Sequence, residues 1–225
     1  MGLSGIFFYN YCFFTGLQTI TASRAALIVA TNPIFIALFA GWLFKEKLTL
    51  LKILGILISV SGALIVIAKG DLKQIFSGAI GRGELYIFGC VGSWVAYSLI
   101  SKPVMKTLSP LITISYSSAI GTVALFIPAY FEKVFTKLAG YSVLDWVSLS
   151  YLGVFGTVLG ILWYLQGIRC IGAAKASQFI NFVPVSAIIL AALFLGETPT
   201  RPILFGAALV ISGVYLTQKR FASAA

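Results

Sequence analysis

The sequence predicts an all-α protein: a polytopic bundle of about eight membrane-spanning helices that contains an inverted repeat. Three observations predict this fold class: a mean hydropathy of +1.02, a charged content of only 10%, and an ungapped match between residues 16–66 and 167–217. Soluble domains carry about 25% charged residues. A soluble fold of 225 residues leaves too many positions in water to hide this much apolar surface. The composition therefore excludes an ordinary cytosolic enzyme, a disordered chain and a secreted disulfide scaffold.

Eight apolar runs account for most of the chain, and each approaches the length of about 20 residues that a helix needs to cross a bilayer. In chain order they are 3–20, 22–44, 49–68, 84–102, 109–131, 146–168, 174–195 and 200–217. A membrane β-barrel would instead alternate polar and apolar residues over short segments. Most connections are short, so we expect neighbouring spans to run antiparallel.

The basic residues lie between the apolar runs, with nine in the loops on one side of the membrane and seven on the other. This small excess places both termini in the cytoplasm of a multi-pass inner- or plasma-membrane protein. The net charge of +10 does not predict nucleic-acid binding, because such binders cluster their charge on one solvated face.

The internal repeat aligns residues that apolar composition alone would not match by chance. The most informative identical pairs are Pro33/Pro184, Glu46/Glu197, Gly55/Gly206 and Gly62/Gly213. The second span corresponds to the seventh, five crossings later, so the two copies face opposite ways. Many secondary transporters build their outward- and inward-open states from such inverted repeats. The alternative is an ancient duplication with a purely structural legacy.

The repeated segments, "ASRAALIVATNP…FKEKLT…LGILISVSGALIV" and "AAKASQFINFVP…LGETPT…FGAALVISGVYL", resemble those of the drug/metabolite transporter superfamily, specifically EamA-type permeases. The resemblance implies a ten-span fold of two five-span repeats, of which this chain supplies the equivalents of the last eight. We therefore expect a partial, N-terminally incomplete first repeat (1–68), a linker (69–83), a second repeat (84–217) and a cytoplasmic tail (218–225). The implied function is transport of small metabolites by alternating access. The absence of two spans leaves a non-transporting remnant, or a subunit that needs a partner, as the alternative.

Polar and aromatic side chains within the spans are candidates for substrate binding, because polar groups are costly against lipid. The candidates are Asn10, Tyr11, Gln18, Trp94, Tyr97, Trp163, Gln178 and Asn181. The resemblance implies that their spans surround a central cavity. Rings and amides together suit a small amphipathic metabolite. Alternatively, the rings form interfacial belts and the amides bond between helices.

Two matched prolines, Pro33 and Pro184, are candidate hinges. Each lacks an N–H and frees the carbonyl four residues earlier, at Val29 and Ile180. Prolines are also tolerated in membrane helices as static kinks, and this alternative stays open.

The sequence predicts no catalytic residues, metal or cofactor. It contains no histidine and three scattered cysteines, and it lacks the glycine-rich ATP-binding loop. An intramembrane enzyme would need a nucleophile with a base, paired aspartates or a metal motif. All six acids lie at or outside span ends, so we expect a facilitator or exchanger without a carboxylate proton relay. The expected partners are the bilayer and a small-molecule substrate, with a homodimer possible.

Overall fold

The structure of the protein is a computed structural model that describes residues 1–45, 49–68, 81–183, 185–186, 189, 193 and 200–218. All regular elements in that part of the chain are helical, which confirms the all-α prediction. The α-helices are α1 (Tyr9–Leu17), α2 (Ala22–Val29), α3 (Asn32–Phe44), α4 (Leu50–Ile67), α5 (Arg82–Val104), α6 (Pro110–Phe131), α7 (Val134–Lys137), α8 (Val143–Tyr151), α9 (Gly160–Ile171), α10 (Ala173–Ala176) and α11 (Arg201–Gln218). Segments of π-helix cover Gly2–Phe8 and Leu152–Leu159, and 3₁₀ turns cover Leu138–Gly140 and Ser177–Asn181.

Four continuous helical runs in the described part of the chain are long and apolar enough to cross a membrane. They are Leu50–Ile67, Arg82–Val104, Pro110–Phe131 and Val143–Ile171, and the last consists of α8, the second π-segment and α9. Two shorter apolar helices, Asn32–Phe44 and Arg201–Thr217, accompany them. The chain is therefore a multi-pass helical membrane protein.

The helices begin where side chains satisfy the free N–H groups of the first turn. Thr49 Oγ1 accepts the N–H of Lys52 at the start of α4 (3.4 Å), as expected of a threonine N-cap. Glu84 Oε2 accepts the Gly81 N–H (2.8 Å) at the start of α5. As a result α5 begins at Arg82, two residues earlier than predicted, whereas residues 69–80 of the predicted linker lie outside the described residues.

The two faces of helix α6 have the residue distribution expected of a helix that is surrounded by lipid rather than by water. Its buried face carries the small or polar residues Thr113, Ser117 and Gly121 beside one large apolar residue, Ile114. Its outer face carries large apolar ones, among them Tyr116 and Val123, which are 68% and 69% exposed. Apolar side chains can remain exposed on the outer surface when they face lipid, and small residues on the inner face allow helix backbones to approach closely.

The two repeat copies meet where α4 crosses α11. A β-carbon on Gly62 would lie 2.6 Å from the Gly206 carbonyl oxygen, and one on Gly55 would lie 2.8 Å from the Gly213 carbonyl oxygen. Residue numbers rise along one helix as they fall along the other, so the helices are antiparallel. The repeat aligns Gly55 with Gly206 and Gly62 with Gly213. When each glycine is replaced by its counterpart in the other copy, the contact between Gly55 and Gly213 becomes the contact between Gly206 and Gly62. The contact between α4 and α11 therefore has the local two-fold symmetry that an inverted repeat predicts.

The span predicted over 22–44 is not one helix, because α2 ends at Val29 and α3 begins at Asn32. Pro33 lies in the first turn of α3, where its missing N–H costs nothing. Thr31 closes the end of the preceding helix, since its backbone N–H and its hydroxyl both donate to the Ile28 carbonyl (3.1 and 2.6 Å). In the second copy the corresponding span passes from α10 into the 3₁₀ turn Ser177–Asn181. Pro184 lies outside the described residues.

Candidate substrate-binding cavity

A cavity of about 950 Å³ lies where α5, α9 and the broken spans of both repeat copies meet. This volume is at the upper end of the range for small-molecule sites. Eight of its described lining residues are aromatic: Tyr9, Trp94, Tyr151, Phe155, Trp163, Tyr164, Phe179 and Phe182. Asn32 and Ser186 supply polar side chains as well, and none of the described lining residues is charged.

One side of the cavity is an aromatic wall, which consists of Tyr9, Trp94, Tyr97 and Tyr164. The Trp94 ring stacks on Tyr164 (centroids 5.2 Å apart) and on Tyr97 (5.4 Å), and Tyr9 packs against it at a tilt (5.1 Å). The Tyr164 hydroxyl is hydrogen-bonded to Ser98 Oγ at 2.8 Å. Each aromatic pair contributes about 0.5–1.5 kcal/mol beyond its buried area, so the wall is a preorganised surface shared by α1, α5 and α9.

Both broken spans contribute to the cavity. In the first copy, Val29 and Asn32 lie on either side of the break and line the cavity. Pro33 supplies no N–H to the Val29 carbonyl. Asn32 is 1% exposed, and its Oδ1 atom has no hydrogen-bond partner among the described residues. In the second copy, Phe179 and Ile180 of the 3₁₀ turn line the cavity. Irregular backbone at this depth is tolerated where it lines a cavity.

Three of the predicted site residues lie at the aromatic wall or near it. Trp94 and Trp163 line the cavity directly. Tyr97 is fully buried and stacks on Trp94. Tyr97 is not among the lining residues, so it supports the wall from behind.

Gln178 and Asn181 lie beside the cavity rather than in its lining. Asn181 is 1% exposed, and its Nδ2 atom donates to Ser59 Oγ (2.9 Å), which bonds the second copy to α4 of the first. Gln178 is fully buried, and neither its oxygen nor its nitrogen has a hydrogen-bond partner among the described residues. Asn181 therefore links the two copies directly, and Gln178 is a buried amide with no partner among the described residues.

The structure places Asn10, Tyr11 and Gln18 outside the cavity lining. Asn10 Nδ2 donates to the Ile6 carbonyl of the preceding turn (2.7 Å). Tyr11 is 36% exposed, and Gln18 is exposed at the end of α1. Residues two apart lie on opposite sides of a helix, so α1 can present Tyr9 or Tyr11 to the cavity, but not both.

Sequence reasoning missed Tyr9, Asn32 and Tyr164. The one available signal was for Asn32, because it immediately precedes the repeated proline and so had to lie at a helix break. Nothing in the sequence distinguished Tyr9 from Tyr11, or Tyr164 from its neighbour Trp163.

A multi-pass helical protein with a cavity of small-molecule size has the general architecture of a membrane transporter. The chain belongs to the EamA-like transporter family, whose sequence profile matches residues 1–68 and 81–218. This confirms the resemblance to EamA-type permeases of the drug/metabolite transporter superfamily. The chain is 35% identical over 215 residues to the uncharacterized transporter YyaM of Bacillus subtilis (strain 168), a match that covers 95% of this chain and 70% of YyaM.

Two further relatives show the range of the family. The uncharacterized transporter YetK of Bacillus subtilis (strain 168) is 29% identical, and the match covers 95% of this chain but only 65% of YetK. A probable terminal-alkyne amino-acid exporter of Streptantibioticus cattleyicolor is 27% identical over 97% of this chain and 71% of that protein. A crystal structure with a TM-score of 0.74 and 16% identity covers 96% of this chain and 74% of its own, and it supports the fold alone.

Proposed function

We propose that this protein is a secondary transporter, a permease or exporter that moves small metabolites across the plasma membrane by alternating access. The observation that carries the proposal is the reciprocal antiparallel crossing of α4 and α11, which is the arrangement expected of corresponding helices in two inverted repeat copies. In transporters of this design, one repeat rocks against the other around a site near the midplane. The exporter among the relatives supports the direction of transport.

Within this proposal, the repeat units are 1–68 and 84–217, and Pro33 and Pro184 are the hinges of their broken spans. Asn32, Trp94 and Trp163 contact the substrate, and Gln178 and Asn181 act between the copies as these move. The small excess of basic loop residues on one side favours cytoplasmic termini. The bilayer and the substrate are the partners that the function requires. The proposal includes no catalysis and no nucleic acid, and a homodimer is compatible with it.

The proposed energy source is the substrate's own gradient. None of the six acids of the sequence lies in the middle of a predicted span, and the buried Glu84 caps the start of α5 through the Gly81 N–H. Proton-driven carriers use ionisable residues within the membrane as relays. A facilitator or exchanger needs none.

The test is release of solutes from proteoliposomes that contain the full chain and are loaded with a cellular metabolite extract. We expect at least one small metabolite to leave faster than from liposomes with the Trp94→Ala variant, with and without a pH gradient. Trp42→Ala is the matched control, because Trp42 is 78% exposed on the outer surface. Identical release profiles for the protein, the Trp94→Ala variant and empty liposomes would contradict the transport proposal. Release only under a pH gradient would contradict the proposed energy source.

One observation favours the second candidate, a subunit that transports only with a partner. Gly2 and Gly5 pack closely against the Ser117 carbonyl and the Tyr97 ring. In the register of the repeat their counterparts are Gly153 and Gly156, which also lie in a π-segment. Apart from the neighbouring backbone of its own helix, no described atom lies within 4 Å of a β-carbon built on either one. This candidate predicts release only after a partner helix pair that covers this face is co-reconstituted.

A further inference from the structure

We infer that the cavity selects flat, uncharged aromatic molecules that carry a hydrogen-bond donor, in preference to carboxylates and to aliphatic molecules of the same size. The inference rests on the proposed transport function and gives its substrate class. It follows from two independent properties of the cavity, the shape of its aromatic surface and the kind of polar atom that faces it.

The aromatic surface favours a ring over an aliphatic group of equal volume. Eight rings line the cavity, and the near-parallel stack of Trp94 with Tyr164, with an angle of 28° between the ring planes, provides a fixed surface. Aromatic rings attract one another through their quadrupoles in offset-stacked or edge-to-face arrangements, in addition to the apolar area that they bury. A saturated ring gains only the buried area. A planar guest therefore has an advantage that depends on the wall itself.

Two backbone or side-chain oxygens at the cavity are acceptors that lack a usual partner. Pro33 leaves the Val29 carbonyl without the usual helical donor, and Asn32 Oδ1 has no partner among the described residues. The Ser186 hydroxyl already donates to the Phe182 carbonyl (2.6 Å). A ligand N–H or O–H can satisfy these acceptors, whereas a carboxylate offers only further acceptors.

Charge is disfavoured for the same site. No described lining residue is charged, so an ionised ligand would lose its hydration without meeting an opposite charge. Burial of an unpaired charge in an apolar site is far more costly than burial of a neutral amide that finds a partner. Ring faces attract cations, but no described lining residue is a carboxylate that could pair with one, so we expect neutral ligands to bind best.

The experiment uses four ligands of nearly the same shape and the full chain in lipid nanodiscs. Binding of radiolabelled benzamide, with empty nanodiscs as the background, is competed with unlabelled benzamide, benzoate, benzamidinium and cyclohexanecarboxamide. We expect unlabelled benzamide to compete about tenfold more strongly than each of the other three. Benzoate tests the anion, benzamidinium the cation and cyclohexanecarboxamide the requirement for an aromatic ring.

Variants separate the wall from general damage. Trp94→Ala should abolish benzamide binding, Trp94→Phe should retain most of it, and Trp42→Ala, on the exposed surface, should leave it unchanged. Equal competition by benzoate or by cyclohexanecarboxamide, tighter binding of benzamidinium, or absence of benzamide binding would overturn the inference. Metabolite release in the proteoliposome assay without benzamide binding would contradict the inferred substrate class but not the proposed transport function. Benzamide binding without metabolite release would contradict the proposed transport function but not the inferred preference of the cavity.

Discussion

Replacement of Gly62 with alanine should destabilise the protein by about 1–3 kcal/mol, the usual cost of overpacking a tight contact. The new β-carbon would lie 2.6 Å from both the Gly206 carbonyl oxygen and the Val210 nitrogen. Both are backbone atoms of α11, so no side chain can turn aside to relieve the clash. The measurement is the free energy of unfolding in detergent, followed by helical circular dichroism against denaturant.

The matched control is Gly92→Ala in α5, because a β-carbon built on Gly92 meets nothing within 4 Å. Alanine is the better helix former by about 1 kcal/mol, so Gly92→Ala should be neutral or slightly stabilising. Gly206→Ala should be as costly as Gly62→Ala. The double variant should cost less than the sum, because both changes force apart the same pair of backbones. If Gly62→Ala were as stable as Gly92→Ala, the close crossing of the two copies would be wrong.

Replacement of Gln178 with methionine should have the opposite effect on stability and a severe effect on transport. Gln178 is fully buried, and its amide has no hydrogen-bond partner among the described residues. An unsatisfied buried polar group costs about 1–3 kcal/mol, and methionine has nearly the same volume. We therefore expect the variant to unfold about 1–3 kcal/mol less readily than the parent. If the amide finds its partners only in another conformation or with substrate, transport should fall at least tenfold.

The paired measurements decide what Gln178 does. Higher stability with lost transport would identify a functional group that is retained at the expense of stability, as is common at active positions. Higher stability with unchanged transport would contradict its proposed role between the copies. Ser212→Ala is a suitable control, because Ser212 is exposed and its hydroxyl donates to the carbonyl of Ala208 in its own helix.

Much of the fold was predictable because membrane helices can be recognised in a sequence by the length and hydropathy of their apolar runs. The sequence placed α4 to within a residue at each end, and the repeat aligned the glycines at which α4 and α11 approach each other. Pro33 indicated a break in the second span, because proline removes a backbone hydrogen-bond donor wherever it occurs. These features depend on local chemistry or on the register of the repeat.

The rotation of each helix about its own axis was not predictable. In water, an apolar stripe marks the face that packs inward, but here both the lipid-facing and the protein-facing sides are apolar. The sequence therefore gave no reason to prefer Tyr9 over Tyr11 at the cavity. The aromatic wall joins residues of three spans that are far apart in the chain, so it depends on those rotations and appears only in three dimensions.

The central claim, that the cavity opens alternately to the two sides of the membrane, is tested most directly by accessibility at Ser186. This residue lines the cavity and is exposed, and serine to cysteine is a small change. A Ser186→Cys variant in which Cys12, Cys90 and Cys170 are replaced by serine is treated with a membrane-impermeant thiol reagent in right-side-out and in inside-out vesicles. The account predicts labelling from both sides, and substrate should change the two rates in opposite directions. Labelling from one side only, whatever the substrate, would contradict it.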